Sequence, residues 1–209
     1  MINPNQIIDY NRTDVELEEL VLFLIAVAGK NADTTSKNLA KFLKAQSYPN
    51  YYNSPFEFIR NIQTEKGAVL KADKKGQLTE SRYSNLAERL NAWGFGCQTR
   101  LARAFTEVAN SGLNLRTCSL EDLMKIHGIG RKSASCFLAW TRKGVKVAML
   151  DTHLLKFIRD TLGYSDAPKS TPSGKKYDFY EKIYLDYCAS QKLDPTKYDL
   201  EIWRSYANK

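Results

Sequence analysis

Apolar residues recur at helical spacing along nearly the whole chain, and no stretch alternates apolar with polar for more than a few residues. The pattern predicts a mainly α fold. The run LVLFLIAVA, Leu20 to Ala28, is apolar on every face, which predicts a buried central helix. Thr13 and Glu16 form a capping box in front of it, and Gly29 sits where a left-handed C-cap would stop it. Leu39, Phe42 and Leu43 make one apolar stripe on a short second helix. Ser54, Pro55 and Glu57 combine an N-cap, a proline at the first helical position and a capping-box carboxylate. A further helix is expected from near Thr79 to Trp93, with WGFG breaking it before the helix QTRLARAFTEVAN.

Ser119 and Asp122 cap a short helix carrying Leu120, Leu123 and Ile126, and helical spacing resumes at RKSASCFLAW with Ala134, Phe137 and Leu138 on one face. Between them stands IHGIGRKSA, a glycine turn joining two helices tightly. GVKVAML reads as a short extended segment, after which Asp151 is placed to cap THLLKFIRDTL. Ser165 to Lys176 is the most loop-like stretch, and two helices, YDFYEKIYLDYCAS and YDLEIWRSYA, follow it.

Composition narrows the partners. A net charge of +8 favours a polyanion without deciding for nucleic acid by itself. The longest apolar run is too short for a bilayer and too deep in the chain for a signal peptide, so a cytoplasmic protein is expected, or a nuclear one if the source has a nucleus. Cys97, Cys118, Cys136 and Cys188 form no pair at metal-ligand spacing and are expected as reduced thiols. With His127 and His153 the sole histidines, neither a metal site nor a cofactor is expected.

The turn Gly128, Ile129, Gly130 admits two readings. Bare glycines let a phosphate approach backbone N–H groups at the N-terminus of the next helix, or they satisfy an ordinary αα turn. Lys132 alone reads as a phosphate-binding cation, and Asp151 alone as an N-cap.

LMKIHGIGRKSASCFL followed by VAMLDTHLLKFIRDTLG resembles the signature of the helix-hairpin-helix DNA glycosylase superfamily, the group that includes endonuclease III. From about Leu120 onward the chain is most similar to the short type-2 8-oxoguanine DNA glycosylases, which lack an iron–sulfur cluster. Pro168 and Lys169, DLEIW from Asp199 to Trp203, and Lys209 carry that part of the likeness. Leu150 stands where relatives often have valine or isoleucine, and AGKNADTTSK lies where they carry residues that wedge into the duplex, with no wedge assignable here.

The resemblance implies an all-α, two-lobed fold. One lobe would span 14–147 with the hairpin at about 119–142, the second would comprise 1–13 plus 148–209, and the active site would lie between them. It implies catalytic Lys132 and Asp151, a base pocket of Asp199, Trp203 and Lys209, and DNA contacts from Gly128, Ile129, Gly130, Arg131 and Lys125. The partner would be double-stranded DNA containing a damaged base, and the chain a monomer. The activity implied is excision of 8-oxoguanine with AP-lyase strand cleavage. The same chemistry on a damaged or modified pyrimidine or an alkylated base, and a non-catalytic DNA-binding module, are the alternatives.

Overall fold

A helix that is apolar all round must be surrounded. In the computed structural model, which describes residues 1–45, 53–64, 70–72, 78–80 and 84–207, helix α1 (Asp14–Ala26) meets that requirement. Leu17 and every residue from Leu20 to Ala26 are buried. The Thr13–Glu16 capping box is formed in both directions, and Gly29 takes φ +71° just past the helix. Helices α2 (Ala32–Ala45), α3 (Pro55–Thr64) and α5 (Gln98–Asn110) all pack on α1, and α4 (Ser84–Ala92) packs on α3 and α5. Phe42 from α2 fixes one end of this core, its ring 5.4 Å from Phe58 and edge-on to Phe95 at 6.2 Å.

The helix expected to start near Thr79 starts at Ser84. Thr79 instead stands in a two-stranded antiparallel ribbon, β1 (Leu70–Ala72) against β2 (Leu78–Glu80), with Lys71 opposite Thr79. Three-residue strands are too short for a period of two to show, and so the sequence offered no strand signal. The fold is otherwise helical.

The chain divides into two units, Met1–Ile129 and Gly130–Lys209. Residues 1–13 belong to the first unit: the Ser36 hydroxyl donates to the Ile2 carbonyl, and the Arg12 guanidinium donates to the Ile7 carbonyl at 2.9 Å. The unit boundary thus differs from the lobe boundaries of 14–147 and 1–13 plus 148–209 that the resemblance implies. Helix α6 (Leu120–Met124) closes the first unit, with Ser119 and Asp122 capping it reciprocally.

The second unit holds α7 (Arg131–Thr141), α8 (Thr152–Asp160), α9 (Gly174–Ser190) and α10 (Pro195–Ala207). Its core is built on a tyrosine stripe: Tyr177, Tyr180, Tyr184 and Cys188 lie on one face of α9 and are 0–1% exposed, against Leu154, Leu155, Ile158 and Ile202. Buried hydroxyls need partners, and Tyr184 finds one in the Pro195 carbonyl at 2.7 Å. The Phe157 ring meets Tyr187 and Tyr198 edge-on, each at 5.7 Å. Both C-terminal helices begin three residues earlier than YDFYEKIYLDYCAS and YDLEIWRSYA suggest, taking in Gly174 and Pro195. Among the described residues no helix is long and apolar enough to cross a membrane.

Candidate active site

The glycine turn is set by backbone geometry on one side and left bare on the other. Gly128 has φ +83°, where an L side chain is strained, and a Cβ there would lie 3.3 Å from the Ala104 Cβ. The His127 N–H donates to the Glu107 carboxylate at 2.9 Å, which ties the turn to α5, and Ile129 is buried. Gly128→Ala is expected to lower stability by about 1–2 kcal/mol through its left-handed φ alone, read as a shift of the urea midpoint.

Gly130 differs: its backbone is extended (φ −86°, ψ 173°), it is the N-cap of α7, and a Cβ there would meet nothing within 4 Å. No side chain caps α7. Its first-turn N–H groups therefore lack a side-chain cap, and the exposed Gly130 adds no bulk beside the positive end of the dipole.

Lys132 is the second residue of α7, and Cys136 lies four residues on, on the same face. Asp151 is the N-cap of α8. Its Oδ1 accepts from the N–H groups of His153 and Leu154, both at 2.8 Å, and so the cap occupies one carboxylate oxygen. Asp199 enters from α10. These four side chains are close enough that each charge acts on its neighbours: Lys132 feels Cys136, Asp151 and Asp199, and Asp199 feels Asp151 and Lys132.

The protonation pattern follows from burial. Burial pushes the Cys136 thiol up to about 11, so at neutral pH it is an uncharged partner in a hydrogen bond with Lys132. Lys132 is held above the ordinary lysine range by Cys136, then by Asp151 and Asp199, against the opposing effect of burial. The Cys136 charge requires a thiolate and acts only at high pH, and Asp199 contributes only once it has lost its proton. Asp199 is raised well above the usual carboxylate range, first by burial and then by the Asp151 charge, with Lys132 opposing. It keeps a proton at pH values where an exposed carboxylate has lost one.

Trp203 is half-buried four residues beyond Asp199, and its ring stands edge-on to His153 at 6.4 Å, which brings it beside the Asp151 cap. Lys209 lies outside the described residues. Lys125 is exposed and ion-paired with Asp122 at 2.9 Å. Arg131, expected at phosphate, is engaged within the protein: its Nη2 donates to Glu181 at 2.5 Å, its Nη1 pairs with Asp178, and the guanidinium lies over the Tyr177 ring at 4.6 Å. A basic residue at a helix start looks like an anion ligand in sequence, because its acidic partners lie about fifty positions away.

Sequence reasoning also passed over Cys136, although its four-residue offset from Lys132 was readable. Glu107, Tyr177 and Glu181 carried no such signal. Among the described residues no group of three His, Cys, Asp or Glu is placed to hold a metal ion.

Residues 113–140 match the family described as the helix-hairpin-helix motif. No curated protein matches the sequence. Among solved structures, the chain is similar to the 8-oxoguanine DNA glycosylase of Thermotoga maritima, with a TM-score of 0.63 and 22% identity over 94% of this chain and 82% of that one. It is also similar to the 8-oxoguanine glycosylase/lyase of Methanocaldococcus jannaschii in complex with a 15mer DNA containing 8-oxoguanine. There the TM-score is 0.63 and the identity 21%, over 95% and 84% of the two chains. At these identities the likeness establishes a shared fold: this chain has the fold of the short 8-oxoguanine DNA glycosylases and carries a helix-hairpin-helix motif.

Proposed function

We propose that this protein is a DNA glycosylase with AP-lyase activity that removes 8-oxoguanine from duplex DNA. The observation that carries the reading is the Lys132, Asp151 and Asp199 cluster in one unit, with Lys132 in the first turn of a helix whose N-terminus no side chain caps. The two similar structures, named as 8-oxoguanine glycosylases, support the choice of base.

The chemistry balances on the chain's own groups. As the bond between base and C1′ breaks, positive charge develops on the sugar and Asp151 stabilises it. Lys132 gives up one proton, the departing base takes up one, and the free amine bonds to C1′. Opening of the sugar ring moves a nitrogen-bound proton to O4′ and leaves a Schiff base at C1′. Loss of a C2′ proton then expels the 3′-phosphate and nicks the strand. The extruded base would stack on Trp203 and hydrogen-bond to Asp199, which as an acid can donate and as a carboxylate accept, with Lys209 completing the pocket. All of these groups belong to one chain, consistent with a monomer acting wherever the cell keeps its DNA.

Borohydride trapping tests the reading. Wild-type protein is expected to form a covalent complex with a duplex carrying one 8-oxoguanine and with the same duplex carrying an abasic site. Trapping at the abasic site alone would retain the lyase and discard the base. Failure at both would leave a DNA-binding module.

A further inference from the structure

Residues 145–150 lead into Asp151 outside any helix or strand, yet Ala148, Met149 and Leu150 are 0–2% exposed. Backbone buried to this depth outside a helix or sheet still has to pair its N–H and C=O groups. Here side chains do so. Glu181 Oε1 accepts from the Ala148 N–H at 2.9 Å, and the Tyr177 hydroxyl donates to the Ala148 carbonyl at 2.6 Å. The same hydroxyl accepts from the Leu150 N–H at 3.4 Å, and the Thr171 hydroxyl donates to the Leu150 carbonyl at 2.8 Å.

The two residues from α9 also reach α7. The other Glu181 oxygen accepts from Arg131, the residue before Lys132, and the Arg131 guanidinium rests on the Tyr177 ring. One turn of α9 thus holds two stretches at once: the Arg131 side chain at the start of the helix that carries Lys132, and the backbone of the segment that delivers Asp151. Glu181 is well suited to this, since its two oxygens serve the two stretches separately and its side chain is 12% exposed.

We propose that Glu181 and Tyr177 are positioning residues that join the Lys132 and Asp151 segments into one rigid body. The inference rests on the glycosylase reading for its consequence, although the bridge itself exists in the DNA-free protein. A geometry of this kind has measurable weight, because misplacement of a reacting group by about 1 Å costs on the order of 10²-fold in rate. Losing one of several ties displaces the groups by less than that.

The experiment uses the full chain with Tyr177→Phe, which removes only a hydroxyl, and Glu181→Ala, which removes both carboxylate bonds. In DNA-free protein, amide hydrogen exchange is expected to quicken by about tenfold or more at Leu150 in the first variant and at Ala148 in the second, with Leu155 in α8 unchanged. In single-turnover excision from an 8-oxoguanine duplex, each variant is expected to lose about tenfold in rate, with the DNA dissociation constant within about twofold of wild type. Placed in an Asp151→Asn background, each should lower the residual rate by less than it lowers the wild-type rate, because the placement of the Asp151 charge no longer matters.

Unchanged exchange at Leu150 and Ala148, or an equal rate loss in both backgrounds, would overturn the proposal and leave a purely stabilising role. If Tyr177→Phe does not fold, Glu181→Ala decides alone. If wild type neither excises nor traps, the glycosylase reading fails separately, and the exchange arm decides whether the two segments are tied.

Discussion

Lys132→Gln is expected to give no borohydride-trapped complex on either an 8-oxoguanine or an abasic duplex, while the variant still binds DNA within a few-fold of wild type. The amide of glutamine cannot form a Schiff base, so the covalent route closes altogether. Excision should fall by at least about 10²-fold, close to 2.7 kcal/mol at 1.36 kcal/mol per factor of ten. The variant also removes the Lys132 ammonium, whose charge acts on Asp199. Without it, the Asp151 charge and burial act on Asp199 unopposed, and its carboxyl should retain a proton to still higher pH. Carboxyl titration followed by NMR would show that shift in the DNA-free protein. Wild-type trapping together with trapping by the variant would move the nucleophile elsewhere.

Asp151→Asn is expected to separate the two tasks of that carboxylate. Asparagine caps a helix as well as aspartate does, so the bonds from His153 and Leu154 survive and the thermal midpoint should stay close to wild type. Asp151→Ala removes the cap and should cost about 1 kcal/mol. Both variants lose the negative charge, and both should lower base excision on the order of 10²- to 10³-fold, the loss typical for a group aimed at developing charge. Trapping at a preformed abasic site should fall less, because no glycosidic bond remains to be broken there. An Asn variant that excises at the wild-type rate would reduce Asp151 to a cap.

The candidate site divides by how its parts are encoded. Capping boxes, the glycine turn, the Asp151 cap and the Lys132–Cys136 offset all lie within a few residues of one another in the chain. Local hydrogen bonding and the 3.6-residue period therefore make them readable. Thr79 shows the same rule from the other side, for a ribbon of three-residue pairs depends on a partner strand more than on local pattern. The ion pairs of Arg131 were not legible in the sequence, because only folding brings Asp178 and Glu181 near it.

The sequence by itself determined the helical fold class, the hairpin between its two helices, and the amine and carboxylate placed at the starts of two successive helices. These follow from periodicity and from backbone groups that a helix end leaves unpaired. Only the tertiary structure decided that Asp199 and Cys136 share the surroundings of Lys132, that Arg131 pairs with Glu181, and that Glu181, Tyr177 and Thr171 supply hydrogen bonds to the backbone of Ala148 and Leu150. Burial sets those charge states and bond partners, and burial is a property of elements packed together rather than of any one stretch of chain.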